Sequence, residues 1–141
     1  MELSAEACAF LDGHQVGHLA TAGADGAPHV VPLCYARIGQ RVYFVADDKP
    51  KRAGPLALKR LANLAANPRA ALVVDDYDAD WRRLAFLLVH CDTATVEDDG
   101  EYAEALIALR VRYAPYRAMP LARATHPMVR MTVRRWHLWR A

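Results

Sequence analysis

The chain has 141 residues, of which 54% are hydrophobic, so we expect one folded domain over residues 1–141 and exclude a disordered chain. Its net charge of +2 is nearly balanced, which argues against a general nucleic-acid or membrane partner. Its three cysteines are far apart and form no CxxC pair, which predicts free thiols. The acidic N-terminus is not that of a signal peptide, and no run reaches the ~20 apolar residues of a membrane span. We therefore expect a soluble, cytoplasmic protein.

The first third of the chain predicts a short helix and a three-stranded antiparallel meander. Ser4-Ala5-Glu6 is typical of a helix start, and the helix would run to about Leu11. Asp25-Gly26 predicts a hairpin turn, because glycine tolerates a positive φ. Pro32 limits the second strand to a sheet edge or a bulge. The three strands are predicted over residues 16–21, about 28–36 and 42–45.

A lysine-rich turn and a basic helix follow the third strand. Lys49 and Lys51 lie where this strand ends, and the helix would begin near Pro55 and stop at Asn67-Pro68. Cations close to the free N–H groups of a helix N-terminus make a natural anion site. A solvent-exposed charged connection is the alternative interpretation. The apolar face of the helix would consist of Leu58, Leu61, Ala62 and Ala65, with Lys59, Arg60 and Asn63 elsewhere on its circumference.

The rest of the chain predicts three further strands and a second main helix. An acidic loop, DDYDAD, separates the first two of these strands. The strands are expected over 69–74, 81–94 and 128–139, and the helix over about 101–113. About six mostly antiparallel strands, one helix after the third strand and another before the last favour a closed or partly open β-barrel.

No motif in the sequence names a reaction. GxGxxG, GxxxxGK[ST] and GxSxG are all absent. His14 and His18 have i, i+4 spacing, but glycines flank them, so a packed or surface role is favoured over a metal site. The acidic loop lacks the glycine and terminal glutamate of an EF-hand. Trp81, at the end of that loop, is a candidate cover for a planar ligand. The residues alone therefore predict only a small β-barrel with a candidate anion site.

Several segments in their order resemble a known family. HLATAGADGAPHVVPLCYA, VYFVADDKPK, LKRLANLAANPRAALVVDDYDADW and the terminal RWHLW are similar to the split β-barrel flavin and deazaflavin oxidoreductases. More narrowly, they resemble the pyridoxamine-phosphate-oxidase-like branch that uses coenzyme F420. The likeness runs from Phe10 to Trp139, and KPK, RLANL, NPR and DYDxDW are its most specific pieces.

This resemblance implies an F420-dependent oxidoreductase that moves a hydride between the deazaflavin and a small or planar organic acceptor. It implies a homodimer of split barrels with cofactor sites at the subunit interface and no catalytic side-chain nucleophile. From the residues themselves we expect no metal site. Lys49 and Lys51 would hold the phosphate-bearing tail, and Trp81 and Arg82 would reach the site from the partner subunit. The residues assigned to the cofactor are His29, Val31, Pro32, Lys49, Pro50, Lys51, Arg60, Asn63, Trp81 and Arg82.

Two other functions remain open on the same fold. The first is an FMN-dependent oxidase or reductase, and the second is a non-catalytic carrier of a flavin, a deazaflavin or a tetrapyrrole. Relatives commonly carry hydroxyl residues directly after KPK, whereas Arg52, Ala53 and Gly54 follow it here. This departure affects the residues expected to contact the phosphate, so the sequence leaves the choice between F420 and FMN open.

Overall fold

Seven antiparallel strands form one sheet that curls into a half-barrel in the computed structural model, which describes residues 1–48 and 58–141. The strands are β1 (Gly17–Ala22), β2 (Pro28–Leu33), β3 (Ala36–Ile38), β4 (Arg41–Val45), β5 (Arg69–Asp76), β6 (Ala85–Thr95) and β7 (Met128–Arg140). Their order across the sheet is β2-β1-β5-β6-β7-β4-β3. Although β2 and β3 are consecutive in the chain, they lie at opposite edges of the sheet. The predicted split β-barrel class is confirmed.

In the described part of the chain, three α-helices flank the sheet: α1 (Ala5–Asp12), α2 (Lys59–Ala66) and α3 (Asp99–Arg112). Ser4 Oγ accepts from the Ala7 amide at 3.1 Å at the start of α1. Asp98 Oδ2 accepts from the Glu101 amide at 2.8 Å at the start of α3, so the N-termini of α1 and α3 both have a side-chain cap. The first residue of α2 is Lys59, and the predicted helix start at Pro55 lies outside the described residues.

The predicted second strand is divided at Tyr35, so the sheet has seven strands rather than six and α2 follows the fourth. The Tyr35 amide donates to the Tyr113 hydroxyl at 3.0 Å, and the Tyr35 carbonyl accepts from Arg112 Nε at 2.9 Å. Because side chains bind both backbone groups, Tyr35 has none to offer to a neighbouring strand. Its buried hydroxyl donates to the Leu11 and His14 carbonyls, at 2.6 and 3.0 Å. We call this junction the Tyr35 corner.

The prediction that Trp81 begins a long strand is wrong. Residues Trp81–Arg83 form a 3₁₀ turn, and β6 begins at Ala85. The Asp80 side chain accepts from the Arg82 amide at 3.1 Å, and the Asp80 carbonyl accepts from the Arg83 amide at 3.0 Å. These bonds close the backbone into a turn. Trp81 is therefore 68% exposed rather than part of the sheet.

Two groups of buried side chains stabilise the half-barrel. The larger group packs the inner face of the sheet against α1 and α2, and the smaller packs β3 and β4 against α3. Leu11, Leu19, Phe44, Leu72 and Leu87 belong to the larger group, and Tyr43, Val45, Tyr102, Leu109 and Met128 to the smaller. Burial also raises the pKa of the Cys91 thiol to about 12, so this cysteine stays protonated at neutral pH.

A β-bulge changes which side chains of β7 face the core. The pairing register between β6 and β7 shifts at His90–Cys91, where Arg134 is the extra residue on β7. Val133 is buried before the bulge, whereas Trp136 and Leu138 pack on the core after it. A one-residue slip exchanges the two faces of a strand, so odd-numbered side chains point inward before the bulge and outward after it.

The opposite face of the sheet carries a group of apolar and aromatic side chains on β5, β6 and β7. Val73 pairs with Leu88, and Leu88 pairs with His137. One step along, the Phe86 and Trp139 rings stack with centroids 5.6 Å apart. None of these five side chains belongs to the buried core. We call Val73, Phe86, Leu88, His137 and Trp139 the outer patch.

Tyr35→Phe should lower the free energy of unfolding by about 1–3 kcal/mol, because the buried Leu11 carbonyl loses its hydroxyl donor. Urea unfolding at pH 7 measures this loss. Tyr77→Phe is the matched control, since Tyr77 is 77% exposed and should tolerate the same change. Equal stability of the two variants would contradict the role of the Tyr35 corner.

Candidate functional site

The candidate site lies along β2, at the open edge of the half-barrel. We define the seam as β2, Asp47 just after β4, Arg60 on α2, and Tyr116 in the 3₁₀ turn that follows α3. At the His29 end, a hydrogen bond ties Asn63 of α2 to Thr21, the β1 residue that pairs with His29. At the other end, Cys34, directly after β2, lies near Tyr116.

Among the described residues, β2 pairs with β1 on one side only and has a free backbone edge on the other. Its burial alternates, with Pro28, Val30 and Pro32 exposed. Proline has no N–H to give to a ladder, so in an edge strand its nitrogen points to the free edge. Val30 lies between the two prolines and has the same parity. Its N–H and C=O groups therefore also point to the free edge, where they can bind a ligand.

An unpaired imidazole nitrogen marks the inner side of β2. His29 pairs in register with Thr21 of β1, and the His29 Nδ1 atom is buried without a hydrogen-bond partner. Thr21 Oγ1 accepts from Asn63 Nδ2 at 3.0 Å, which ties α2 to β1. Buried polar atoms are normally hydrogen-bonded, so an orphaned one is an available donor or acceptor. This nitrogen is suited to a polar atom of a bound molecule.

A cation and a buried acid lie at the other end of the seam. The Tyr116 hydroxyl donates a short hydrogen bond to Asp47 Oδ2, and Asp47 is only 4% exposed. Burial first, and then the bond to Asp47 and the nearby Cys34, raise the pKa of the Tyr116 hydroxyl. Burial lowers the pKa of the Arg60 guanidinium, and Asp47 and Tyr116 act against that shift. Arg60 is therefore a partly buried cation near both groups.

Helix α2 connects the two ends of the seam. Asn63 contacts β1, and Arg60 is one helical turn earlier, so both side chains come from the same side of α2. Asn63 is 1% exposed and belongs with Leu64 to the buried face, whereas the sequence pattern predicted it elsewhere on the circumference. The bond to Thr21 explains this correction, because it satisfies an amide that periodicity alone places in solvent.

The predicted cofactor residues fall into three groups. His29, Val31 and Pro32 on β2 and Arg60 and Asn63 on α2 are all parts of the seam or next to it. Lys49, Pro50 and Lys51 lie outside the described residues, immediately after Asp48. Trp81 and Arg82 lie in the turn before β6, which β1 and β5 separate from β2 in the sheet, and Arg82 Nε bonds Asp80 at 2.9 Å. Within one chain, the structure does not bring this last pair to β2.

Sequence reasoning missed Thr21, Cys34, Asp47 and Tyr116. An acid directly after an apolar strand, as in the run from Phe44 to Asp47, is the one local signal that points to a buried carboxylate. Its partner Tyr116 is 69 residues away in sequence. Among residues 1–48 and 58–141, no group of three or more potential ligands could hold a metal ion. The helices in those ranges include none that is long and apolar enough to cross a membrane.

The curled seven-stranded sheet with its open seam is the architecture of the split β-barrel proteins. The chain matches the pyridoxamine 5'-phosphate oxidase family over residues 3–140. It therefore belongs to that family. No curated protein matches the chain significantly.

Solved structures of similar fold carry different descriptions. A conserved hypothetical protein from Mycobacterium tuberculosis is 23% identical with a TM-score of 0.77, over 99% of this chain and 86% of that one. The heme storage protein of Vibrio cholerae is 15% identical with a TM-score of 0.72, over 99% and 95% of the two chains. An F420 reductase is 24% identical with a TM-score of 0.57, over 87% and 89%. At these identities the likeness shows the fold alone.

Tyr116→Phe should destabilise the protein by about 1–3 kcal/mol at pH 7, because the buried Asp47 carboxylate loses a donor. The lost bond is one to the ionised carboxyl, so the destabilisation is largest while that group is ionised. It should shrink as the pH falls into the range where carboxylates take up protons.

Urea unfolding of this variant between pH 4 and 8 measures the effect. Tyr102→Phe is the control, because the Tyr102 hydroxyl donates to the neutral His126 carbonyl at 2.8 Å and its loss should not vary with pH. A loss at Tyr116 that is equally independent of pH would show that Asp47 carries no charge in the fold.

Proposed function

We propose that this protein is an F420-dependent oxidoreductase that transfers a hydride between the deazaflavin and a small or planar organic acceptor. The observation that carries the proposal is the seam, which combines a free strand edge, an orphaned imidazole nitrogen and a partly buried cation in a chain of the pyridoxamine 5'-phosphate oxidase family. The F420 reductase of similar fold supports the choice of cofactor over nearly the whole of both chains.

The cationic end of the seam suits a phosphate-bearing tail. Arg60 has a guanidinium whose planar fork can donate two parallel hydrogen bonds to phosphate oxygens. Lys49 directly follows Asp48 in sequence, Lys51 comes two residues later, and we propose that both charges act on the same phosphate. The acid Asp47 is bonded to Tyr116, which disperses its negative charge away from an incoming anion. We assign the phosphate to these three cations.

The β2 edge suits a flat ring system with polar atoms at its rim. Val30 offers backbone groups at the free edge, and Val31 packs against the core beside it. His29 Nδ1, which has no hydrogen-bond partner, would form a hydrogen bond with a polar atom of the ring. Apolar walls with a few placed polar groups are the usual features of a small-molecule site. We assign the ring to β2, including Pro32, and a supporting role to Asn63.

When bound, the deazaflavin supplies the hydride chemistry, so no side-chain nucleophile is needed. The chain's own residues bind and orient. Arg60 and the lysines fix the tail, and β2 limits the tilt of the ring. The Tyr116 hydroxyl keeps its proton because its pKa is raised, so it holds Asp47 in place at neutral pH without contributing a charge.

The orphaned His29 nitrogen also favours a second candidate function, a non-catalytic tetrapyrrole carrier, because an imidazole nitrogen is a common ligand of heme iron. The likeness to a heme storage protein, over 99% of this chain, supports that alternative. FMN-dependent chemistry is the third candidate.

Purified protein should quench the fluorescence of F420 with micromolar affinity or better and should contain no bound flavin or heme after purification.

The result that sinks the deazaflavin assignment is tight binding of FMN with no F420 binding at tens of micromolar. A flavin spectrum released on denaturation would favour FMN. Stoichiometric heme binding that is lost in His29→Ala, without turnover against a panel of acceptors, would favour the carrier.

Arg60→Gln and Lys51→Ala should each weaken F420 binding by about 1–3 kcal/mol, since each removes a charge-assisted contact to phosphate. Fluorescence titration gives the dissociation constants, and thermal unfolding checks that each variant folds. Arg60→Lys keeps the charge but loses the planar guanidinium fork, so its affinity for F420 should lie between those of the wild type and Arg60→Gln. Arg123→Gln, at an exposed arginine paired with Asp99, is the control and should bind normally. Unchanged affinity for Lys51→Ala would remove that residue from the site.

We further propose a homodimer in which the outer patch is the subunit interface. An apolar and aromatic patch on a sheet face is typical of an interaction surface. Trp139 is 40% exposed and Trp81, at the same end of β6, is 68% exposed, so two large aromatic side chains are available to a second copy. Such a dimer would let Trp81 and Arg82 reach the partner's seam, which they do not reach within one chain.

Leu88→Arg should convert the dimer to a monomer, because it places a charge at the centre of the outer patch. Light scattering after size-exclusion chromatography gives the mass. Val111→Arg is the matched control, since Val111 is 71% exposed on α3 and away from the sheet. A dimer that survives Leu88→Arg but dissociates on Val111→Arg would move the interface to α3.

A further inference from the structure

A cleft of about 470 Å³ lies where the β-bulge interrupts the pairing of β6 and β7. Its lining residues come from the start of β5, the middle of β6 and the bulge of β7. They are Arg69, Ala70, His90, Cys91, Asp92, Arg134 and Arg135. Three of the seven are arginines, and Asp92 is the one carboxylate among these lining residues.

The arginines come together because of strand register. Arg69 pairs with Asp92 across β5 and β6, and His90 pairs with Arg135 across β6 and β7. Ala70 and Leu72 are buried, so Arg69 points to the opposite face of the sheet. The bulge adds Arg134 to the same side, where its Nη1 lies 2.6 Å from Asp92 Oδ2. The two strands that flank β6 thus give three arginines to one face.

The charges in this cleft are not balanced. Asp92 is occupied by Arg134, which it orients. Within residues 1–48 and 58–141, Arg69 and Arg135 make no ion pair with any carboxylate. Arg69 on β5 and Arg135 on β7 lie on the two strands that flank β6, so an anion bound above β6 could neutralise both charges. The hydrogen bonds of the sheet already hold the backbone that carries these arginines. Binding of an anion would therefore lose little backbone conformational entropy.

We propose that this cleft binds a small oxyanion with two or more negatively charged oxygens, such as a phosphate monoester or a polycarboxylate. Arg69 and Arg135 would bind it directly through their guanidinium forks, and Arg134 would be held at its edge by Asp92. A monovalent anion would engage one fork and leave the second charge unneutralised. The site is on the other face of the sheet from His29 and is independent of the F420 proposal.

The test is a titration of the full-length protein with inorganic phosphate, phenyl phosphate, citrate and acetate, followed by backbone amide chemical shifts. Phosphate species and citrate should cause saturable shifts centred on His90 and Arg135, and acetate should bind at least tenfold more weakly. The comparison of phenyl phosphate with citrate decides between a phosphate ester and a polycarboxylate.

The Arg69→Gln/Arg135→Gln double variant should lose at least tenfold in affinity for the divalent anions. Arg83→Gln/Arg123→Gln removes the same charge from exposed arginines elsewhere and should bind as the wild type does. Equal loss in both double variants would mean a non-specific charge effect and would overturn the proposal.

The cleft and the outer patch share one face of the sheet, so the test needs a second readout. If the wild type binds none of the anions while the Arg69/Arg135 variant has a weaker dimer, the cleft receives the acidic stretch at Asp75-Asp76 of a second copy instead, and the proposal is wrong. Saturable anion binding at unchanged dimer mass supports it. The single variants Arg69→Gln and Arg135→Gln keep the test available if the double variant does not fold.

Discussion

The Tyr35 corner is the constraint on which the half-barrel depends. At this point the chain leaves β2 at one edge of the sheet and enters β3 at the opposite edge, so the fold needs a sharp, buried change of direction. Hydrogen bonds from Tyr113 and Arg112 satisfy the Tyr35 backbone, and its hydroxyl binds carbonyls at the end of α1. Without these partners the corner would bury unpaired polar groups, each at a cost of about 1–3 kcal/mol. The corner thus keeps β2 apart from β3 and leaves an edge of the sheet open.

Because β2 has a free edge, the polar groups around it have to be held by other elements. Helix α2 does this at both ends, with Asn63 bound to Thr21 and Arg60 near Asp47. The two ends differ in chemistry: one offers an orphaned imidazole nitrogen and the other a cation beside a bonded acid. A ligand with a polar planar part and an anionic part matches this polarity along a single strand. The open edge and its polarity together are what make β2 the candidate binding element.

The parts of the fold that could be predicted from the sequence are those with local causes. Ser4 begins α1 and Asp25-Gly26 forms the hairpin turn, where Gly26 has a φ of 75°. The division of the second strand could not be predicted, since it needs a hydrogen bond between Tyr35 and a residue 78 positions away. The burial of Asn63 has the same origin, because its partner Thr21 is 42 residues distant. Resemblance pointed to β2 and α2, but the buried acid and phenol of the seam depend on tertiary contacts alone.

The β-bulge has a consequence for how this chain is compared with its relatives. Side chains of β7 alternate between the inner and outer faces of the sheet, and this alternation is interrupted at Arg134. Removing Arg134 would restore the regular alternation, with Val133 inward, Arg135 outward and Trp136 inward, so His137 and Trp139 would stay on the outer face. A single-residue gap at Arg134 between two family members therefore means a lost bulge with the two faces of the strand unchanged. Alignments that place such a gap a few positions away would assign core residues to the surface over the residues between the two positions.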